Sequence, residues 1–493
     1  MDLLRFYLNG KPREIDFCCP DSPPLSCSVL HYLRRYEKMT GTKEVCGSGD
    51  CGACTVIVAE KDEVTDTEKW FTADSCLLRL PQLHGKHLLT IEAPDKYMNT
   101  TPVRDAFLRE RASQCGVCSP GMVLSAYNHV KNNLPLNREE IKRSLSGNLC
   151  RCTGYQSIMD AVLSLDSQPG FQAGGEEPLD FPQVEKRMHA FIKGENVYLL
   201  PLCLEEFFIA RRQYPGARIA SGFTGSCMDH KGSVIDISRV RELLQVSVSE
   251  FGISLGAACN YETMKKELGP HFPHIIPYLD SFASLQVRHQ ASLGGNIADG
   301  SPVGDTMPLC LALDAVCVAC GPEGTRRIKA DLFTTGYRKV DLLPDELLMA
   351  VVFPFPEKGT HFFAHKQSRR KNMDISSVSF AAAIRLEGRT CTSVRLAYGG
   401  MAPVPARAMH TERFLKGKVF SRANCRKASA FIEKDFTPIS DIRGSACLLY
   451  TSDAADDLRC VDLGGRRRTK KKKKNITFTR RSSPPLSSTH THT

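Results

Sequence analysis

No run of residues in this 493-residue chain is both apolar and long enough to span a bilayer. The longest, LCLALDAVCVAC (Leu309–Cys320), is interrupted by Asp314. The N-terminal MDLLRFYLNGKPREID lacks the basic start and apolar core of a secretory signal, so a cytoplasmic protein without a membrane partner is expected. There is also no broad surplus of one charge to recruit nucleic acid. Of the formal net charge of +11, +7 lies after Ala446, where 11 Lys/Arg meet four Asp. The remainder sets 54 basic against 50 acidic residues. With 42% hydrophobic and 24% charged residues, the composition is that of a soluble globular protein, and the length accommodates roughly three domains.

Cysteine is abundant. The 21 cysteines are odd in number and lie in a long chain without an export signal, which argues against a disulfide framework. Eight of them cluster, and the other thirteen read as buried or incidental thiols.

The first 17 residues predict a β-hairpin: LLRFYL, an Asn9-Gly10 turn, and a strand ending near Ile15 and Phe17. SVLHYLRRYEKM (Ser28–Met39) has helical spacing and TVIVAE (Thr55–Glu60) is β-branched, so a small α+β domain is expected around the first cysteine loop. From about 100 to 165 the pattern becomes helical. Ser119-Pro120 reads as a cap and first-turn proline, while Asn137-x-x-Glu140 and Thr153-x-x-Gln156 read as capping-box starts. DSQPGFQAGGEEPLDFPQ (Asp166–Gln183) predicts an exposed linker. Strands such as SVIDIS and FGISLGA alternate with helices over 185–360, and a smaller α+β segment follows to about 445. From Cys447 onward, RRRTKKKKK and RRSSPPLSSTHTHT carry almost no apolar period; a disordered or foreign basic tail is expected there.

The stretch CGSGDCGAC (Cys46–Cys54) admits three readings. Gly47-x-Gly49-x-x-Gly52 matches a dinucleotide fingerprint, but it precedes a strand instead of following one, and it encloses Cys51. Zinc normally takes paired C-x₂₋₄-C knuckles. The spacing Cys46-x₄-Cys51-x₂-Cys54, with Cys76 after 21 more residues, is instead that of a plant-type [2Fe–2S] loop. The glycines then supply positive-φ turns and aim amides at sulfur. A second set is Cys115-x₂-Cys118 with Cys150-x-Cys152, each half just before a predicted helix start whose dipole favours thiolate. Zinc remains open for this set alone; beside the first set, iron–sulfur is preferred. Cys317-x₂-Cys320 has no second pair nearby and reads as strand cysteines. ASLGGNIADGSPVGD (Ala291–Asp305) is the other chemical motif. Read from the residues, Gly294-Gly295 is either a plain turn or a close approach to a diphosphate, with Ser292 and Asn296 as polar partners and Ser301-Pro302 starting a helix.

KEVCGSGDCGACTV, SQCGVCSPG and GNLCRCTGY, in that order, resemble the N-terminal half of the xanthine dehydrogenase/aldehyde oxidase family over about residues 3–445, and most closely the small subunit of two-subunit members. The resemblance implies a multidomain α+β protein. Its parts would be a β-grasp ferredoxin-like domain (1–92), a four-helix [2Fe–2S] domain (93–165), a linker (166–184), a PCMH-type FAD-binding domain (185–360) and a truncated CO dehydrogenase flavoprotein-like C-terminal domain (361–446). The tail occupies 447–493. It implies FAD at Ile219, Gly222, Thr224, Phe282 (against adenine), Ala291, Ser292, Gly294, Gly295, Asn296, Asp305, Leu348 and Lys366. In RIASGFTGS this chain has Phe223 and Gly225 where the family has a small or polar residue and an acid, and Val45 where it commonly has glycine. Two [2Fe–2S] clusters and FAD would pass electrons to NAD⁺. Their source would be a molybdopterin centre on a partner large subunit that oxidises purines, docking near Gln114. A truncated single-chain xanthine dehydrogenase or aldehyde oxidase is one alternative. A non-catalytic zinc-binding interaction module is the other.

Overall fold

The computed structural model describes residues 2–62, 67–167, 177–225 and 232–438; the predicted tail and the centre of the predicted linker lie outside them. The predicted N-terminal hairpin is present: Leu4–Leu8 pairs antiparallel with Lys11–Ile15 across Asn9 and Gly10, both at positive φ as a type I′ turn requires. Leu4–Leu8 also pairs in parallel with His87–Leu89. The sheet then continues through Thr55–Lys61 to Glu68–Asp74. The helix Val29–Arg35, capped by Ser28, packs Val29, Tyr32 and Leu33 against this five-stranded mixed sheet. It ends before the predicted Met39, with Lys38 at φ +58°.

Four helices follow: Thr101–Arg109, Ser119–Lys131, Arg138–Ser144 and Gln156–Leu163. Their shared core centres on Phe107, Met122, Tyr127, Ile141 and Ile158. Asn137 caps the third helix through the amides of Glu139 and Glu140, as predicted. Two predicted starts shift. The second helix is preceded by Cys118 as its N-cap, with Ser119 already helical. The fourth begins at Gln156 after Tyr155 in the left-handed region, and Thr153 accepts from the Tyr155 amide instead of capping a helix. The predicted linker is not exposed throughout. Leu179 is buried in the helical core, Phe181 packs beside it, and the Asp180 carbonyl lies 3.0 Å from His87 Nδ1, because two apolar side chains in a polar run suffice to dock it.

The next segment holds two larger sheets and a two-stranded one, Thr334–Gly336 with Lys339–Val340. His189–Lys193, Asn196–Leu200, Val234–Asp236 and Arg218–Ala220 form the first, with parallel pairings around Val234–Asp236. Val246–Val248, Gly252–Gly256, Leu347–Pro354, Val316–Gly321 and Gly324–Lys329 form an antiparallel second, whose Cys317 and Cys320 are buried strand residues as expected. A last antiparallel sheet (Thr360–Gln367, Val378–Glu387, Thr390–Gly399, Ala406–Arg407) is covered by the helices Met409–Leu415, Arg422–Ser429 and Ile432–Asp435. The whole is multidomain α+β. Among the described residues no helix is long and apolar enough to cross a membrane, and all 18 cysteines are free thiols.

Candidate functional site

The first cysteine loop runs from the end of the Val29–Arg35 segment into the strand Thr55–Lys61. Gly47, Gly49 and Gly52 all take positive φ, +69°, +76° and +64°. At Gly52 the requirement is also spatial, since a Cβ would stand 2.4 Å from the Gly147 carbonyl oxygen. The loop turns Cys46 and Cys51 toward each other as hydrogen-bonded side chains, while Cys54 Sγ lies 3.4 Å from Cys76 Sγ. The Ser48 amide donates to Cys46 Sγ at 3.5 Å. Burial pushes the Cys46 thiol up, but the Ser48 and Asp50 amides and the Cys51 thiol outweigh it and hold Cys46 at about 7.

The second set follows the same plan. Cys152 Sγ lies 3.5 Å from Cys115 Sγ, and Cys118 is hydrogen-bonded to Cys150. The Val117 amide draws the Cys115 thiol down. For Cys118, burial and then Cys150 push it up to about 12. Only one helix N-terminus abuts this set, that of Ser119–Lys131 at Cys118. Cys152 lies about a turn ahead of Gln156, so loop amides replace the second expected dipole.

In both loops the sulfurs therefore stand two by two, with Asp74 Oδ1 3.7 Å from Cys54 Sγ. A two-iron cluster needs a pair of thiolates at each end, which these loops present. The two loops touch. The Leu149 amide donates to the Cys51 carbonyl at 2.9 Å, and Asn148 Nδ2 donates to the Gly52 carbonyl at 2.9 Å. Cys115 and Cys152 are exposed beside exposed Gln114, Val117, Leu149 and Tyr155.

The predicted flavin residues come from six separate stretches of the chain. Ser292 caps a short helix, Leu293–Ala298, by accepting from the Gly295 amide at 3.1 Å. The Gly-Gly-Asn stretch is thus a helix start and not a plain turn, and Ser301-Pro302 lies in the turn before the helix Thr306–Ala312 instead of opening it. Gly294 is needed for packing: its Cβ would stand 2.5 Å from that of Ala257. Gly295, by contrast, faces outward. Asn296 Oδ1 accepts from the Thr306 amide at 3.2 Å, and buried Asp305 pairs with Lys366 Nζ at 2.8 Å and accepts from Ser376. Phe282, half-buried, stacks parallel on Tyr261 with ring centroids 3.8 Å apart, and Lys366 Nζ lies 5.9 Å from its ring. Gly222 sits where a Cβ would meet the Gln290 carbonyl at 1.8 Å, bringing its loop against the Ala291–Gly295 segment. Ala291 and Leu348 are buried, Ile219 and Thr224 partly exposed. Phe223 turns inward to stack on Tyr198 at 5.9 Å. Tyr261 and Ser376 were not legible in the sequence, since nothing in their neighbourhoods marks them. A separate cavity of about 250 Å³ in the C-terminal sheet domain is lined by Phe362, Phe380, Leu415 and Ile432 and touches none of these residues.

Three family models match: "[2Fe-2S] binding domain" over 90–163, "FAD binding domain in molybdopterin dehydrogenase" over 190–356, and "CO dehydrogenase flavoprotein C-terminal domain" over 363–448. Among relatives, xanthine dehydrogenase/oxidase from Gallus gallus is 29% identical, across 89% of this chain and 38% of the relative. The Rattus norvegicus xanthine dehydrogenase/oxidase is 30% identical, across 83% and 35%. Aldehyde oxidase 2 from Rattus norvegicus is 28% identical, across 85% and 36%. The chain thus spans little more than a third of the length of these curated relatives. Among solved structures, a carbon monoxide dehydrogenase from Hydrogenophaga pseudoflava lacking the Mo-pyranopterin moiety superposes with a TM-score of 0.51 at 25% identity, covering 55% of this chain and 96% of that one. Reconstituted CO dehydrogenase from Oligotropha carboxidovorans shares the fold, with a TM-score of 0.51 at 23% identity over 54% and 96%.

Proposed function

Because the chain belongs to the xanthine dehydrogenase/aldehyde oxidase family, we propose that it is the iron–sulfur and flavin half of a molybdenum hydroxylase, an oxidoreductase. The observation that carries this reading is the two-by-two arrangement of eight cysteine sulfurs in two loops that touch at Gly52 and Asn148. Cys46, Cys51, Cys54 and Cys76 would hold one [2Fe–2S] cluster and Cys115, Cys118, Cys150 and Cys152 another. FAD would lie along Ile219, Gly222, Thr224, the Ala291–Asn296 helix start, Phe282, Asp305, Leu348 and Lys366. Bound there, the flavin supplies two-electron exchange with nicotinamide, and the clusters supply one-electron carriage.

The chain's own groups do the rest. The amides of Ser48, Asp50 and Val117 stabilise thiolate charge. Lys366 is held by Asp305, and its Nζ lies 5.9 Å from the Phe282 ring. Its position suits an anionic group on the cofactor. Gly295 is exposed and has no side chain, so a diphosphate could come close to the backbone there. The exposed patch of Gln114, Val117, Leu149 and Tyr155 around Cys115 and Cys152 suits a molybdopterin-bearing partner, from which electrons of purine oxidation would enter on their way to NAD⁺. That partner is a separate large subunit in a hetero-oligomer. The greater length of the matched relatives favours a second arrangement, in which it is the continuation of a longer single chain. The native transcript separates the two.

The test is reconstitution of this chain alone with iron, sulfide and FAD. It should oxidise NADH with an artificial acceptor and fail to hydroxylate xanthine. A chain that binds FAD and iron but is not reduced by NADH would contradict the NAD-linked reading.

A further inference from the structure

The helix Leu285–Arg288 is four residues long, yet it and the two residues after it touch both cysteine domains, the Phe282 loop and the Gly222 loop. Gln286 is fully buried. Its Nε2 lies 2.9 Å from Asn148 Oδ1, 3.2 Å from Ser125 Oγ and 3.3 Å from Thr55 Oγ1. Asn148 is two residues from Cys150, Thr55 follows Cys54, and Ser125 is on the helix that Cys118 caps. On the other side, fully buried Arg288 donates to the Asp280 and Phe282 carbonyls at 3.2 and 3.1 Å and pairs with Glu262, fixing the loop that carries Phe282. His289 Nδ1 meets the Thr72 carbonyl at 3.0 Å, and the Gln290 carbonyl backs onto Gly222.

Asn148 is already satisfied without Gln286: its Oδ1 accepts from Ser125 Oγ at 2.8 Å, and its Nδ2 donates to the Gly52 carbonyl and to Thr55 Oγ1. The two cysteine domains are therefore joined to each other by Asn148, and Gln286 joins the flavin-type domain to both. Gln286 Oε1 has no partner and lies where a Cβ on Gly147 would come within 2.2 Å of it. A buried amide with one end unsatisfied costs stability, which an apolar residue of similar size would avoid. A contact kept on those terms is explained by the geometry it specifies.

We propose that Gln286 is a positioning residue: acting through Asn148, it fixes the separation of the flavin site from the two cysteine loops and so governs the rate of electron passage between them. The inference rests on the cluster-and-flavin reading above. The step it governs takes two electrons from NADH, delivers one to each cluster, and leaves NAD⁺ and one proton.

The test compares wild type, Gln286→Leu, Asn148→Leu and the double variant in the full reconstituted chain, following anaerobic bleaching of the clusters by NADH and, separately, NADH turnover with an acceptor that takes electrons from flavin directly. Gln286→Leu should keep its iron and flavin and its direct turnover, yet lose at least about tenfold in cluster reduction, as expected of a small misplacement between reacting centres. In the Asn148→Leu background the same change should add less than it does in wild type, since the shortest of the Gln286 contacts is then already gone. Gln286→Met, which fills similar space without the donor, should show a comparable loss and covers the case in which the leucine variant does not fold. Hydrogen exchange on the cofactor-free variant should show Leu149 still protected while 285–290 loosens. Wild-type cluster reduction in both Gln286 variants at full cofactor content would overturn the proposal, as would a fall shared equally by direct turnover. A wild-type chain that takes up neither iron nor flavin would instead overturn the reading on which it rests.

Discussion

His84 and His189 face each other across the contact between the N-terminal sheet and the strand His189–Lys193, ring centroids 4.3 Å apart and both buried. Burial, followed by the neighbouring His189, pushes His84 down to about 3, and burial draws His189 down as well. A histidine kept neutral in the folded chain takes up its proton only on unfolding. The unfolded state therefore binds more protons below about 6.5, and stability falls as pH drops from there toward 3. The contribution is of the order of 3 kcal/mol by pH 4. Melting midpoints between pH 7 and 4 should decline more steeply in wild type than in His84→Asn, which keeps an acceptor near the Arg5 amide that His84 Nδ1 now serves; parallel declines would refute this. Gly52 and Gly47 offer a second comparison. Both take positive φ, but a Cβ at Gly47 meets open space whereas one at Gly52 strikes the Gly147 carbonyl. Gly47→Ala should cost about 1 kcal/mol of backbone strain. Gly52→Ala should cost more and lower iron content at both cysteine sets, because it wedges the two loops apart. Equal midpoints and iron contents for the two variants would contradict that.

The loops and helix starts show what was legible and what was not. The N-terminal hairpin could be read from Asn9-Gly10 because turn chemistry is local. The cysteine loops could be read for the same reason, since ligand spacing and glycine placement lie within a few residues. Helix starts are less local in their causes. Thr153 resembles a cap, but Tyr155 at φ +70° delays the helix to Gln156. Ser301-Pro302 resembles a start, but Asp305 is the N-cap. The Gln286–Asn148–Thr55 junction was invisible, because its partners are 138 and 231 residues apart from Gln286 in sequence and no local pattern announces them. The grouping of ligands is nonetheless testable at the scale of the two loops. Cys51→Ser and Cys150→Ser should each alter a different EPR signal of the dithionite-reduced chain. Loss of the same signal from both would show that the sulfurs are grouped wrongly.

At the scale of the molecule, two cysteine domains and a flavin-type domain meet around one buried junction at Gln286. Lys366 from the last domain reaches back to Asp305 in the third. The predicted exposed linker departs from expectation for a reason of the same kind: Leu179 and Phe181 dock on a surface that exists only once the helical domain has formed. Such an arrangement has a purpose only if redox groups occupy the loops, so the central claim is cofactor content. The most direct measurement is the visible spectrum of the purified full chain before and after dithionite. Broad sulfur-to-iron bands overlaid with flavin peaks, both bleaching on reduction, are predicted. A colourless chain that nonetheless carries zinc would contradict the account.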